Sequence, residues 1–308
     1  MKWTVGLDLR PRSEGPVVFA KWLAGAASGD ELHGVHVLEQ ESAQFALGLQ
    51  AMGDLQGLEN LFDPNALREQ ANDAVESLIK RTGAAAAFAS TEITLDSSAQ
   101  ARLTAAVDAT PGSGLIIGRR AKRGEDRIVR LGRVARKLLR RLPGPTIVTP
   151  PDLEPRLIGA GPIVVATDLA DDAIAAVHFA STLAQRVGRE LLLVHVVPMP
   201  EDWVHQFVPS EKIEAVRQEL QRNGERRLAS WIKHSDIKAP HTPLVVQGEV
   251  VHQLVELGAL QDAPLLVCGS RKLGPFARIF VASIASELTA AAGRAVAVVP
   301  PDYVPSVG

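Results

Sequence analysis

The sequence predicts an α/β protein made of two tandem, doubly wound domains, each a five-stranded parallel sheet. Three observations carry this. Short apolar runs alternate with helical patterns along the chain, as expected for parallel strands joined by right-handed helical crossovers. The same landmarks occur twice in the same order, which marks an internal duplication. The composition suits helices packed on a Val- and Leu-rich sheet: 46% of the 308 residues are hydrophobic and only 4% are aromatic.

The duplication is read from matched pairs. Trp3-Thr4-Val5-Gly6-Leu7-Asp8 and Ile163-Val164-Val165-Ala166-Thr167-Asp168 are apolar runs ending in Asp. Each precedes a helical pattern and then a strand carrying a histidine, His36 or His195. Gly114-Leu115-Ile116-Ile117-Gly118 answers Leu265-Leu266-Val267-Cys268-Gly269, and each half closes on a short strand and a proline pair, Pro150-Pro151 or Pro300-Pro301. Residues 152–161 carry breakers at both ends and read as a linker, so the domains are expected at 1–151 and 162–308.

Each element follows from local signals. In the first half, strands are expected at residues 3–9, 33–39, 89–95, 114–118 and 145–149. Pro16 suits the first turn of the first helix and Gly29 ends it. Asp63-Pro64 starts the second helix, whose Ala71, Ala74, Val75, Leu78 and Ile79 share a side. Ser97 or Ser98 caps the third, and a basic helix continues to Leu142. Residues 40–62 are Gly-spaced and weakly periodic, a loop or short helical pieces. In the second half, strands are expected at 162–168, 190–197, 242–247, 264–269 and 294–299, with helices at 171–187, 211–233 and 249–260 and a last one within 270–292. A strand order of 3-2-1-4-5 puts the switch point between strands one and four, where sheets of this kind take ligands. Asp8 and Gly118, and again Asp168 and Gly269, then converge on one crevice per half.

Composition and motifs narrow the function classes. The formal net charge is −2, so no global field draws the chain to nucleic acid or membrane. One cysteine, Cys268, rules out an internal disulfide framework and a cysteine-based zinc cluster; in an apolar strand it reads as an inert thiol. No apolar run reaches membrane-spanning length, and an acidic residue at position 8 comes too early for a signal peptide, so a cytoplasmic protein is expected. His36 and His195 lack second ligands at metal spacing and read as hydrogen-bonded core histidines. No catalytic residue or metal ligand is expected, since no nucleophile elbow, zinc motif or complete phosphate-binding P-loop occurs.

The pattern resembles the universal stress protein family in its two-domain form. Three stretches carry the likeness: 163–173 with His178-Phe179-Ala180-Ser181-Thr182-Leu183-Ala184, then 191–197, then Gly269-Ser270 through Ser283 to Pro300. The resemblance implies the Rossmann-like fold of the adenine nucleotide alpha hydrolases, a stress-response or regulatory role, and binding of ATP or another adenine nucleotide, with Mg only alongside ATP. It also implies domains paired through their last strands, a further homodimer, and an unidentified regulatory protein partner.

The family's nucleotide-binding branch carries Gly-x2-Gly-x9-Gly-Ser/Thr after strand four. Here Gly269 keeps the first position and Ser283 the hydroxyl, while Lys272 and Ala282 replace two glycines. The resemblance therefore implies a site in the second half. Asp168 would meet ribose or base, Val196 and Val197 would present backbone to the base, and Gly269, Ser270, Lys272, Gly274 and Ser283 would lie by the phosphates. The first half departs further: Gly118 stands, Ala121 replaces the second glycine, Gly132 is one residue out of step and Arg133 follows it. No triphosphate cradle is expected there, and Asp8 reads equally well as a turn residue.

Eleven Lys and Arg residues lie between Arg119 and Arg141, against Glu125 and Asp126 alone. Arg119, Arg120, Arg123, Arg130 and Arg133 are the candidate anion-binding residues. The plainer expectation is a solvated helix paired with acidic side chains of the neighbouring domain, because no aromatic residues interleave for base stacking; nucleic acid is not expected as a partner. Two rival functions remain: a slow ATP-hydrolysing or adenylate-using enzyme with Asp168 as its one candidate carboxylate, and a nucleotide-free scaffold binding an acidic partner through residues 127–141.

Overall fold

The computed structural model describes residues 1–39, 64–110, 112–120, 131–199, 206–270 and 284–305. The chain divides into two compact units, Met1–Pro155 and Arg156–Gly308.

In the first unit the strands are β1 (Lys2–Gly6), β2 (Glu31–Glu39), β3 (Phe88–Asp96), β4 (Gly114–Gly118) and β5 (Thr146–Thr149). The helices are α1 (Gly15–Ala26), α2 (Pro64–Arg81), α3 (Ala99–Asp108) and α4 (Arg133–Arg140). The strands are parallel in the order β3-β2-β1-β4-β5, with Val5 opposite Ile116 across the switch point. Alternation along β4 sorts the two faces. Leu115 and Ile117 pack with Leu103 and Val107 of α3 and Leu138 of α4, whereas Gly118 turns toward Pro16 of α1. Gly114 takes the flat of Trp3: an added Cβ would lie 2.3 Å from its ring. Trp3 Nε1 donates to Asp30, so the largest core side chain keeps its polar edge satisfied.

The second unit repeats the plan with β6 (Ile163–Ala166), β7 (Leu191–Pro198), β8 (His241–Gly248), β9 (Leu265–Gly269) and β10 (Ala295–Val299), in the order β8-β7-β6-β9-β10. Its helices are α5 (Ile174–Val187), α6 (Ser210–Ile232), α7 (Val250–Leu260) and α8 (Ile284–Ala291). Gly188 stops α5 in the left-handed conformation at φ 65°, which glycine adopts without steric cost. Glu249 caps α7, its carboxylate accepting from the amides of Val251 and His252. Gly224 lets α6 lie close on the sheet, since an added Cβ would meet Val245 at 2.8 Å and Val197 at 2.9 Å.

Three expectations need correction. The opening strands stop at Gly6 and Ala166, so Asp8 and Asp168 sit two residues beyond the ladder. Ser98 holds the N-cap position of α3 without a side-chain cap; the Ala99 amide donates instead to Glu39 Oε1 at 3.3 Å. The basic helix does not run through residues 131–132: α4 begins at Arg133, because Gly132 is extended at ψ 168°. Within the stretch expected as a linker, residues 157 and 160 are held by hydrogen bonds. Asp262 accepts from the Ala160 amide at 2.8 Å and from Arg294 at 2.9 Å, while Arg294 also donates to Leu157 O.

Candidate functional site

At the switch point of the second unit, β6 and β9 run side by side, Val164 opposite Leu266 and Val165 opposite Val267. The chain leaving β6 turns sharply. The Thr167 amide donates to Val194 O, the Thr167 hydroxyl accepts from the Leu169 amide at 3.0 Å, and Asp168 Oδ1 accepts from the Ala170 amide at 3.1 Å. Leu169 takes φ 65° to close the turn, an unfavourable region for a branched side chain. A short 3-10 turn, Asp171–Ala173, then leads into α5. Asp168 is exposed at the tip of this turn, and its carboxylate has turn-forming work already.

The β9 side is built from small residues. An ideal Cβ on Gly269 would find Asp172 O at 3.5 Å and Ala173 Cα at 3.6 Å, so among the described residues this glycine tolerates a neighbour at ordinary contact distance. The Ser270 amide donates to Val299 O at 2.8 Å. Val196 is buried and Val197 half-buried on β7, two to three residues beyond the Ala166–Val194 pair, so they reach past the end of β6. The structure thus gathers Asp168, Val196, Val197, Gly269 and Ser270 at one sheet edge. Lys272, Gly274 and Ser283 lie outside the described residues.

The first unit fills the corresponding edge differently. Asp8 Oδ1 accepts from the Arg10 amide at 3.1 Å, and Arg10 Nε lies 3.5 Å away. Buried Ser13 donates to Asp8 O and Arg10 O. Gly118 faces Pro16, whose Cγ would stand 3.0 Å from an added Cβ. The Arg119 amide donates to Thr149 O, as Ser270 does to Val299 O, so the two residues are equivalent in the repeat. Arg119 is only 7% exposed. Burial lowers its pKa to about 10, with the Asp152 charge opposing that shift, so it remains a cation at neutral pH. Arg120 is exposed and Arg133 pairs with Glu39 at 2.6 Å; Arg123 and Arg130 lie outside the described residues.

The histidines behave as structural groups. His36 Nδ1 meets Leu7 O at 2.8 Å and His195 Nδ1 meets Thr167 O at 3.0 Å, the same contact in each unit. Sequence reasoning missed Thr167, Ser13 and Pro16 as shapers of the two edges. A hydroxyl adjoining Asp168 was the available signal for Thr167; Ser13, five residues after Asp8, carried none as clear. Cys268, one residue before Gly269, is buried and its thiol pKa is pushed up to about 12 by desolvation. No group of three or more His, Cys, Asp or Glu side chains suited to a metal occurs among the described residues.

A family model described as "Universal stress protein family" matches residues 1–150 and again 160–300. The chain belongs to the universal stress protein family. Solved structures agree on the fold. A universal stress protein from Archaeoglobus fulgidus DSM 4304 aligns over 97% of this chain and 98% of its own, at 15% identity and TM-score 0.64. A functionally unknown protein from Pseudomonas aeruginosa PAO1 aligns over 98% of this chain and 92% of its own, at 17% identity and TM-score 0.59. A universal stress protein solved in complex with cAMP aligns over 47% of this chain and 99% of its own at 22% identity; its TM-score of 0.33 is too low to speak for the ligand here. No curated protein matches the chain. No helix among the described residues is long and apolar enough to cross a membrane.

Proposed function

We propose that this tandem universal stress protein is a cytoplasmic regulatory binding protein that takes an adenine nucleotide, ATP in the first instance, in its second domain. The observation that supports this most is the asymmetry of the two sheet edges. At equivalent positions the second domain offers Gly269 and Ser270, with contacts among the described residues no closer than 3.5 Å at the glycine, while the first carries Pro16 against Gly118 and a buried Arg119. Small residues and backbone amides past a strand end are what a phosphate needs. Exposed Asp168 accepts from ribose hydroxyls in this reading. Lys272, Gly274 and Ser283 complete the phosphate side in this reading, and Mg enters only with ATP. A binding role is favoured over hydrolysis, because in this reading Asp168 serves the ribose and no second carboxylate is assigned to activate water.

The test is direct. The purified chain is denatured and its supernatant read by mass spectrometry, with ATP titrated by calorimetry in parallel. Bound adenine nucleotide or micromolar affinity is expected, falling at least tenfold in Asp168→Ala and Ser283→Ala. An empty protein that gives no heat refutes the reading. Turnover above that of Asp168→Ala moves the protein to the enzyme class.

A further inference from the structure

The basic helix is the charged feature that nucleotide binding leaves unused. Residues 131–141 hold five cations and no acid, in a chain whose formal net charge is −2. On α4, Ala135 and Leu138 are buried in the core of the first domain, so the apolar side of the helix is spent. Arg133, Arg136, Lys137, Arg140 and the following Arg141 are all exposed. Among the described residues Arg133 is the one of these with an ion-pair partner, Glu39 of the same domain. The side chains of Arg136, Lys137, Arg140 and Arg141 make no ion pair or hydrogen bond with the described residues. Among the described residues one of the five cations is therefore paired, and that within its own domain. Repeats at i, i+3 and i+4 put like charges about 5–6 Å apart, an arrangement that destabilises an isolated helix. Such a stripe has a use when an external anion shares it.

We propose that the exposed face of α4 docks on the phosphate backbone of double-stranded nucleic acid. Three features favour this occupant. The face carries no exposed aromatic or large apolar anchor, the usual centre of a protein-docking surface. With Leu138 buried, no apolar side is left to enter a membrane. The remaining residues carry net negative charge, so a polyanion is repelled elsewhere and steered to this one helix. The lack of interleaved aromatics counts against stacking on single strands; a duplex presents phosphates, which need only cations. Binding of this kind reads no sequence.

The experiment is fluorescence anisotropy of the full chain against a labelled mixed-sequence DNA duplex, with a labelled poly-glutamate peptide of equal charge as a second arm. Four phosphate contacts predict a slope of about −3.6 in log affinity against log salt, roughly a hundredfold loss between 50 and 200 mM. The triple variant Arg136→Gln, Lys137→Gln, Arg140→Gln alters exposed side chains only. It should keep its circular dichroism, lose at least tenfold in affinity and show a shallower slope. No duplex binding at 50 mM salt, unchanged binding in the variant, or tighter binding of poly-glutamate each overturns the proposal. Bound ATP does not enter the readout, so nucleotide binding and duplex binding stand or fall separately.

Discussion

Gly224 shows how one hydrogen in place of a methyl sets a domain's dimensions. It sits inside the 23-residue helix α6, where alanine is favoured by about 1 kcal/mol on propensity alone. Yet its absent Cβ is what lets Val245 and Val197 approach within 3 Å of that point. Over-packing of this kind costs about 1–3 kcal/mol. Gly224→Ala is therefore expected to give a net loss of up to about 2 kcal/mol in urea denaturation; a stabilised variant would mean that α6 lifts freely from β7 and β8. The same scale limits what sequence could say about the site. Asp168 and Gly269 were legible because strand ends and glycines announce themselves. The left-handed Leu169 and the burial of Arg119 were not, since the first depends on a turn closed by two side chains and the second on packing from a distant strand end.

At the scale of elements, the alternating pattern was enough to place the strands and most helices within a few residues, because each rests on its own apolar period and its own breaker, such as Gly188 after α5. What periodicity does not contain is where a ladder stops or whether a polar segment is strapped down. The linker illustrates this. Gly159 and Gly161 read as breakers, but they are small because Asp262 O and Gln261 O would lie 1.8 Å from an added Cβ at the two positions. Asp262 holds the strap through its carboxylate. The Ala160 amide, and after it Arg294, keep its pKa below the usual 3.8. A depressed carboxylate pKa adds stability above its unfolded value and loses it as pH falls through the folded one. Asp262→Asn should thus unfold earlier than wild type at pH 7 and match it in strong acid. Equal stability at both ends of the range would show the strap to be idle.

At the scale of the molecule, duplication has left one plan with two different edges. The stitches between strands one and two are the same, His36 to Leu7 O and His195 to Thr167 O, while the residues after β4 and β9 have diverged to Arg119 and Ser270. Two copies of the plan therefore do not imply two sites. Calorimetry is expected to return one nucleotide per chain, and a stoichiometry near two would mean that Arg119 yields its place to ligand.

Cys268 has so far been a core residue of no chemical interest. It is also the only thiol in the chain, paired in register with Val298 and one peptide from Gly269. A disulfide reagent can reach it only when this end of the sheet breathes, so its labelling rate is a clock for local opening, read without introducing any probe. Ligand seated on Gly269 should slow that clock severalfold, and ligand bound anywhere else should leave it running at its own pace.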